Sequence, residues 1–232
     1  ILANAIREAD TLRTLSMEWN SCGVFPDGIR ALANAISHHK SLNNVDLRKL
    51  MEGNKRYVAS HLIHPDQSSE RRFELKHGQH PFAIILGCSD SRVPPEVLFD
   101  QGLGDLYVVR VAGNVLDQMI VASIEFAVLH LDVSLVMVMG HSQCGAVQAT
   151  CNHDQLEGHL PNLTFALNPA FNQAKDLPGD LAENVALANV GLVVEELKQT
   201  GAHFPEMVKE GKLTIVPAYY DMDTGKVDLL GT

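Results

Sequence analysis

Short apolar runs that alternate with helix-like stretches constrain the fold of this 232-residue chain most strongly. The runs FAIILG (82–87), LYVVRVA (106–112) and SLVMVMG (134–140) are apolar at nearly every position, as expected of strands that are buried on both faces. The remaining predicted elements are helices over 48–60, 69–77, 182–199 and 204–211, a helix with the apolar stripe Ile120, Ile124, Val128 and Leu131, a strand over 213–220 and a last edge strand over 227–230. This alternation predicts an α/β fold with a mostly parallel central sheet, right-handed crossovers and flanking helices.

The N-terminal 47 residues repeat themselves with an offset of 30. The segment LANAI at 2–6 returns at 32–36, and Leu12, Leu15 and Met17 return as Leu42, Val45 and Leu47. Each copy is typical of a short helix, a turn and a short strand, which in the second copy is SLNNVDL (41–47). The pattern resembles a leucine-rich repeat of the ribonuclease-inhibitor type, although a solenoid needs about three repeats to bury its faces. We therefore expect a repeat-like segment over 1–47 and a second domain over 48–232; two ordinary amphipathic helices are the alternative for the first segment.

Composition excludes several classes of function. With a net charge of −10, the chain lacks the excess of basic residues that is typical of a nucleic-acid-binding protein. No apolar run reaches the roughly 18 residues that a membrane-spanning helix needs. Four cysteines, at positions 22, 88, 144 and 151, are too few for a disulfide scaffold and favour a reducing compartment, either the cytoplasm or an organelle stroma. The chain begins with Ile1 rather than Met, so we expect a fragment or a processed product, and the absence of a targeting segment here excludes none.

Two polar motifs follow predicted strands. The motif CSDSRVPPE (88–96) comes after FAIILG, and HSQCG (141–145) comes after SLVMVMG. Ligand sites of open parallel sheets collect beyond the carboxyl ends of the strands, so we expect the two motifs to meet there. Cys88, His141 and Cys144 then offer two thiolates and one imidazole, which is one of the three-ligand sets of catalytic zinc. Cys151 lies two helical turns beyond Cys144, too far to join the same site if a helix continues there.

Asp90 and Arg92 lie two residues apart beside this predicted zinc site. A guanidinium can hold a neighbouring carboxylate bidentately and keep it ionised. Asp90 could then accept a hydrogen bond from zinc-bound hydroxide and fix the direction of attack, while Arg92 keeps Asp90 charged and oriented. The alternative is an ordinary surface ion pair with little energetic weight.

Both motifs resemble those of the beta-class carbonic anhydrases, and the resemblance extends over about residues 49–230. It implies that Cys88, His141 and Cys144 bind one Zn²⁺ per subunit and that Asp90 and Arg92 form a catalytic dyad. It also implies that Gln79, Tyr107, Phe126 and Gly145 line the carbon dioxide pocket, partly across the interface of a homodimer or higher homo-oligomer. Some members of the family use the dyad Asp as a fourth ligand and have a Trp three residues before the first Cys. Ile85 occupies that position here, which favours the type whose fourth zinc position is open.

The function predicted from the sequence is reversible hydration of carbon dioxide to bicarbonate and a proton, by zinc-bound hydroxide. Two alternatives remain at this point. The same zinc site could hydrolyse carbonyl sulfide or carbon disulfide, with the width of the pocket deciding between substrates. The chain could instead be an interaction scaffold that binds a protein partner through the repeat segment and carries a vestigial enzyme domain.

Overall fold

The computed structural model describes residues 40–201 and 203–231, with side chains from residue 45 onward. The predicted repeat therefore lies outside the described residues, except for its last eight positions. Those positions were predicted to end in a strand over 41–47, and that prediction is wrong because they open the helix α1 (Lys40–Val58). Leu47, Leu50 and Met51 all face the core from α1, so the helical spacing of the apolar residues outweighs the local alternation of Val45 and Leu47.

A five-stranded sheet forms the centre of the fold, as predicted. Its strands are β1 (Ala83–Gly87), β2 (Leu106–Arg110), β3 (Leu135–His141), β4 (Thr214–Tyr220) and β5 (Val227–Leu229). The spatial order is β2-β1-β3-β4-β5, in which the first four strands are parallel and β5 pairs antiparallel with β4 at the edge. Every residue of β1 and β3 is buried, which is why both strands are apolar without alternation.

Helices cover both faces of the sheet. They are α2 (Ser69–Glu74), α3 (Pro95–Leu98), α4 (Gln118–His130), α5 (Gly145–Cys151), α6 (Pro161–Ala174), α7 (Leu181–Gln199) and α8 (Phe204–Lys209), with 3₁₀ turns at Leu75–His77 and Ala112–Asn114. The side chains of Asp117 and Asp180 cap α4 and α7 by accepting the amides of Ile120 and Glu183. No element was predicted over the residues of α6, whose interior holds Pro169. Among the described helices, none combines the length and the apolarity that a membrane span requires.

Two hydrophobic clusters fill the space between the helices and the sheet. Side chains of successive strand residues point to opposite faces, so Ala83 and Ile85 join one cluster while Ile84 and Leu86 join the other. The first cluster packs under α1, α5 and α6, and we call this side the α6 face. The second cluster packs under α4 and α8, and we call this side the α4 face. Helix α7 contributes to both clusters.

Helix α1 is fastened to the body of the domain by polar contacts from its buried face. The amide of Asn54 donates to the carbonyls of Leu98 (3.1 Å) and Gly225 (3.0 Å), and its oxygen accepts the amide of Val227 at 2.8 Å. Arg56 Nε donates to Asp100 Oδ2 at 2.6 Å. These contacts hold α1 against α3 and against the turn between β4 and β5, and the helix runs across the predicted domain boundary after residue 47.

Candidate metal centre and active site

The two polar motifs meet at the carboxyl end of the sheet, as the sequence predicted. Cys88 follows β1 directly, His141 ends the neighbouring strand β3, and Cys144 precedes α5 as its N-cap residue. The sulfur atoms of Cys88 and Cys144 lie 3.9 Å apart. One ligand atom from each of the three residues falls within 4.8 Å of the others, and all three residues are buried. Among the described residues this group excludes Cys151, whereas Cys22 lies outside the described part of the chain.

The side chain of His141 presents one nitrogen to the two sulfur atoms. Its Nδ1 lies 2.8 Å from the carbonyl oxygen of Ser142. Because a carbonyl only accepts, Nδ1 carries the proton and Nε2 keeps its lone pair. Nε2 is buried and has no hydrogen-bond partner among the residues that the structure describes. An unpartnered buried acceptor is costly unless something binds it, so this atom is suited to be a metal ligand.

The two thiols differ strongly in acidity because they lie side by side. The pKa of Cys88 is lowered to about 4, mainly by the hydrogen bond from Cys144 and further by the backbone amides of Asp90 and Gly113, against the effect of burial. The hydrogen bond to Cys88 raises the pKa of Cys144. Two sulfur atoms this close together can bind one divalent cation, which releases protons from the thiols. Two sulfurs and one imidazole nitrogen are a donor set that Zn²⁺ prefers, so the residues present fit the ion.

The loop that carries Cys88 and Asp90 is held by Arg110 at the end of β2. Arg110 Nε donates to the carbonyl of Cys88 at 2.8 Å, and Nη2 donates to the carbonyl of Asp90 at 2.6 Å. The sequence motifs gave no indication of Arg110 as a site residue. The available signal was a charged side chain at the end of an otherwise apolar strand, which is costly to bury unless it binds something.

Asp90 and Arg92 form a bidentate pair beside the three ligand candidates. Arg92 Nε donates to Asp90 Oδ1 at 2.9 Å and Nη2 donates to Oδ2 at 2.7 Å, while the backbone amide of Arg92 also donates to Oδ1 at 3.0 Å. These bonds lower the pKa of Asp90 to about 2, so the carboxylate is ionised at neutral pH. Arg92 Nη2 also donates to the carbonyl of Gln143 at 3.1 Å, which links the pair to the loop between His141 and Cys144.

The four predicted pocket residues belong to four different segments of the chain. Gln79 is exposed after the first 3₁₀ turn, and Phe126 is 47% exposed on α4, where its ring packs against His130. Tyr107 packs on the α4 face of the sheet, whereas Cys88 and Cys144 belong to the cluster on the α6 face. Gly145 is the first residue of α5, directly after Cys144, and has open space where a side chain would be.

The family model, the curated relatives and the solved structures all indicate the same family. The family model described as "Carbonic anhydrase" matches residues 83–227. A carbonic anhydrase of Mycolicibacterium smegmatis is 37% identical over 187 residues, covering 78% of this chain and 90% of the relative. Carbonic anhydrase 2 of Mycobacterium tuberculosis is 39% identical over 186 residues, with the same shares of the two chains.

Solved structures extend the likeness to the fold. The crystal structure of the beta-carbonic anhydrase CafA of Aspergillus fumigatus is similar with a TM-score of 0.63 and 30% identity, covering 81% of this chain and 89% of that one. A tetrameric beta-carbonic anhydrase from Sordaria macrospora gives a TM-score of 0.64 and 25% identity over 69% of this chain and 86% of that one. The sheet order, the Cys-His-Cys group at the strand ends and these matches agree, and the chain belongs to the beta-class carbonic anhydrase family of zinc enzymes.

Proposed function

We propose that this chain catalyses the reversible hydration of carbon dioxide to bicarbonate and a proton, with Cys88, His141 and Cys144 as the ligands of one Zn²⁺. The observation that carries the proposal is the convergence of two thiols and a buried, unpartnered imidazole nitrogen at the ends of β1 and β3. When it is bound, zinc lowers the pKa of a coordinated water to about 7, which makes a hydroxide nucleophile available near neutral pH. The residues of the chain must orient that nucleophile and form the pocket for carbon dioxide.

Asp90 and Arg92 have the geometry of an orienting pair. Because Asp90 is held ionised, it can only accept hydrogen bonds at neutral pH, and we assign it the role of accepting one from the nucleophile. Arg92 fixes the plane of that carboxylate with two bonds and is itself tied to the backbone of Gln143. A nucleophile whose proton is held in one direction presents its lone pair to carbon dioxide in a defined orientation.

We assign the site to the type in which Asp90 stays off the metal. Both carboxylate oxygens of Asp90 are engaged by Arg92, so moving one of them onto an ion would break a charge-assisted hydrogen bond. Ile85, in place of the Trp that the resemblance associates with the closed type, lies buried in β1. Both observations support an open fourth position on the zinc.

The pocket for carbon dioxide is proposed to involve Gln79, Tyr107, Phe126 and Gly145, completed by a second copy of the chain. Support comes from Phe126, whose ring is half uncovered on α4, as expected where a neighbouring subunit supplies the missing wall. A homodimer or a higher homo-oligomer is therefore expected. Sedimentation should give at least a dimer, and Phe126→Arg should lower both association and activity, whereas Phe165→Arg on α6 serves as a control at another exposed ring.

The residues before α1 are proposed to form a separate repeat-like segment that recruits a protein partner to the enzyme. Support comes from the thirty-residue offset between the two LANAI segments. Limited proteolysis of the full chain should cut ahead of α1 and leave a stable fragment that keeps zinc and activity. A fragment that loses both would show that the segment belongs to the enzyme domain.

The experiment that tests the proposal measures zinc content and carbon dioxide hydration in matched variants. Cys88→Ser should lose zinc and activity together, and Asp90→Asn should keep zinc but lose most of its turnover. Cys151→Ser is the control, because Cys151 lies outside the ligand group, and it should keep both properties. Full activity in a zinc-free Cys88→Ser protein would overturn the proposal. Hydrolysis of carbonyl sulfide or carbon disulfide and a purely scaffolding role are not favoured, since the curated relatives are carbonic anhydrases.

A further inference from the structure

A chain of two buried hydrogen bonds leads from helix α7 to the sulfur of Cys88. The backbone amide of Gly113 donates to Cys88 Sγ at 3.3 Å. Asn189 Nδ2 donates to the carbonyl oxygen of the same glycine at 2.9 Å. Both bonds are buried, and Asn189 is only 4% exposed. The turn Ala112–Asn114 thus sits between a side chain of α7 and a candidate ligand of the metal.

Asn189 is out of place on the buried side of α7 unless it serves this contact. The other buried residues of the helix are all apolar: Val185, Ala186, Val190, Val193, Val194 and Leu197. Burying an amide costs free energy that only a hydrogen bond offsets, so packing alone would favour an aliphatic residue here. The hydrogen bond to Gly113 supplies the reason for an amide at this position.

Gly113 depends on such external contacts because it has no side chain to fix it. Its φ of +72° lies in the left-handed region, which glycine adopts as readily as conformations with negative φ. The amide of Asn114 closes the turn by donating to the carbonyl of Val111 at 3.0 Å, and Asn189 holds the carbonyl of Gly113 from the other side. With both hydrogen bonds in place, the amide of Gly113 points at Cys88 Sγ. Without the bond from Asn189, φ and ψ of Gly113 can change and turn that amide away from the sulfur.

We infer that Asn189 is a positioning residue of the metal centre, which acts through Gly113 to hold Cys88 Sγ in the orientation that binds the metal. The inference rests on the proposed role of Cys88 as a zinc ligand. An amide aimed at a thiolate sulfur stabilises its negative charge and fixes the direction of its remaining lone pairs. Removing an outer contact of this kind typically costs about 10- to 100-fold in metal affinity.

Zinc affinity, measured by competition with a chromogenic chelator on the full chain, tests this role. Asn189→Leu keeps the approximate shape of the side chain and removes the donor, and Asn189→Ala removes it without adding bulk, should the Leu variant fold poorly. We expect zinc affinity to fall at least tenfold in these variants. The thiolate-to-metal charge-transfer band of the Co²⁺-substituted protein should shift as well, since that band reports on the sulfur ligands.

Two further variants separate the possible outcomes. Val193→Ala shortens another buried side chain of α7 that belongs to the cluster on the α4 face, so it controls for loss of stability alone and should leave zinc affinity within about twofold of the parent. An equal loss of affinity in Val193→Ala, at an equal loss of melting temperature, would overturn the positioning role. Unchanged affinity in Asn189→Leu together with lost affinity in Cys88→Ser would overturn that role alone. Unchanged affinity in both would overturn the ligand assignment and the inference with it.

Discussion

The guanidinium of Arg92 and the carboxylate of Asp90 face each other as two parallel hydrogen bonds, Nε to Oδ1 at 2.9 Å and Nη2 to Oδ2 at 2.7 Å. The same Arg92 reaches the carbonyl of Gln143, which belongs to the loop between His141 and Cys144. One planar side chain therefore aligns the candidate hydrogen-bond acceptor with the loop that joins two of the candidate metal ligands. A lysine has one point charge and cannot make this arrangement.

Replacing Arg92 by Lys should therefore reduce turnover without releasing the metal. We expect kcat/KM for carbon dioxide hydration to fall about tenfold or more, which corresponds to about 1.4 kcal/mol of transition-state stabilisation. Stopped-flow hydration assays and zinc analysis on the same sample test this expectation. Arg72→Lys, at an exposed position of α2, is the control and should behave like the parent. Loss of zinc in Arg92→Lys would instead assign Arg92 to the integrity of the metal centre.

Removal of the metal should lower the stability of the fold. A ligand that binds only the folded chain adds about 2.7 kcal/mol when its free concentration is 100 times its dissociation constant. We expect urea unfolding of the chelator-treated protein to shift to lower denaturant and to return when zinc is restored. Cys88→Ser should show no such shift on adding zinc, because one of the two sulfur ligands is missing. Equal midpoints with and without zinc in the parent would contradict this prediction.

The pair Arg56–Asp100 should make stability fall at acidic pH. Burial acts to raise the pKa of Asp100, but the hydrogen bonds from Arg56 and from the amides of Ile63 and His64 outweigh burial and lower it. A carboxyl whose pKa is lower in the folded state contributes stability above its unfolded pKa of about 3.9 and loses it as the pH falls through the folded value. Acid unfolding should therefore remove this contribution only below about pH 4.

Asp100→Asn isolates that contribution, since Asn tolerates the φ of +46° found at this position. We expect the variant to be about 2 kcal/mol less stable at pH 7. The difference in free energy of unfolding between the variant and the parent should shrink as the pH is lowered through about 4 and below. Urea unfolding at each pH measures this difference. Glu157→Gln, at an exposed position, should show no comparable difference at any pH. A gap that stays constant down to about pH 2 would show that Asp100 acts through packing rather than through its charge.

Two glycines should respond in opposite directions to substitution by Ala. At Gly113 the φ of +72° is strained for any side chain, and a Cβ would come within 3.2 Å of Leu167 and 3.3 Å of Ala146, so Gly113→Ala should cost about 1–2 kcal/mol and weaken zinc binding. Gly191 lies within α7 with open space where a methyl group would project, and Gly191→Ala should stabilise the protein by about 0.5–1 kcal/mol. Urea unfolding of both variants measures the two effects.

The candidate site residues that follow the ends of strands could be predicted from the sequence. Cys88 and His141 each follow an apolar run, and parallel strands put their carboxyl ends on one edge of the sheet, so their meeting follows from topology. Arg110 and Asn189 were missed because their partners are backbone atoms of other segments, and no spacing in the sequence marks such contacts. Their only signal was a polar side chain among apolar neighbours.

One helix was not predicted from the sequence, and one predicted strand is a helix in the structure. No element was predicted over helix α6, whose interior holds Pro169, a residue that is unfavourable inside a helix. The strand predicted over 41–47 followed from a repeat pattern, yet those residues open a helix that packs on the core through Leu47, Leu50 and Met51.

Metal content is a direct measure of strand register in this protein. Gly87, which precedes Cys88, is paired with Met139 of β3, and His141 follows two residues later. A slip of one residue between β1 and β3 would turn His141 toward the opposite face of the sheet and separate the imidazole from the thiol of Cys88. A chain with a nearly native sheet but a shifted β3 would still have ordinary secondary structure by spectroscopy, and a metal assay would distinguish it from the correctly folded molecule.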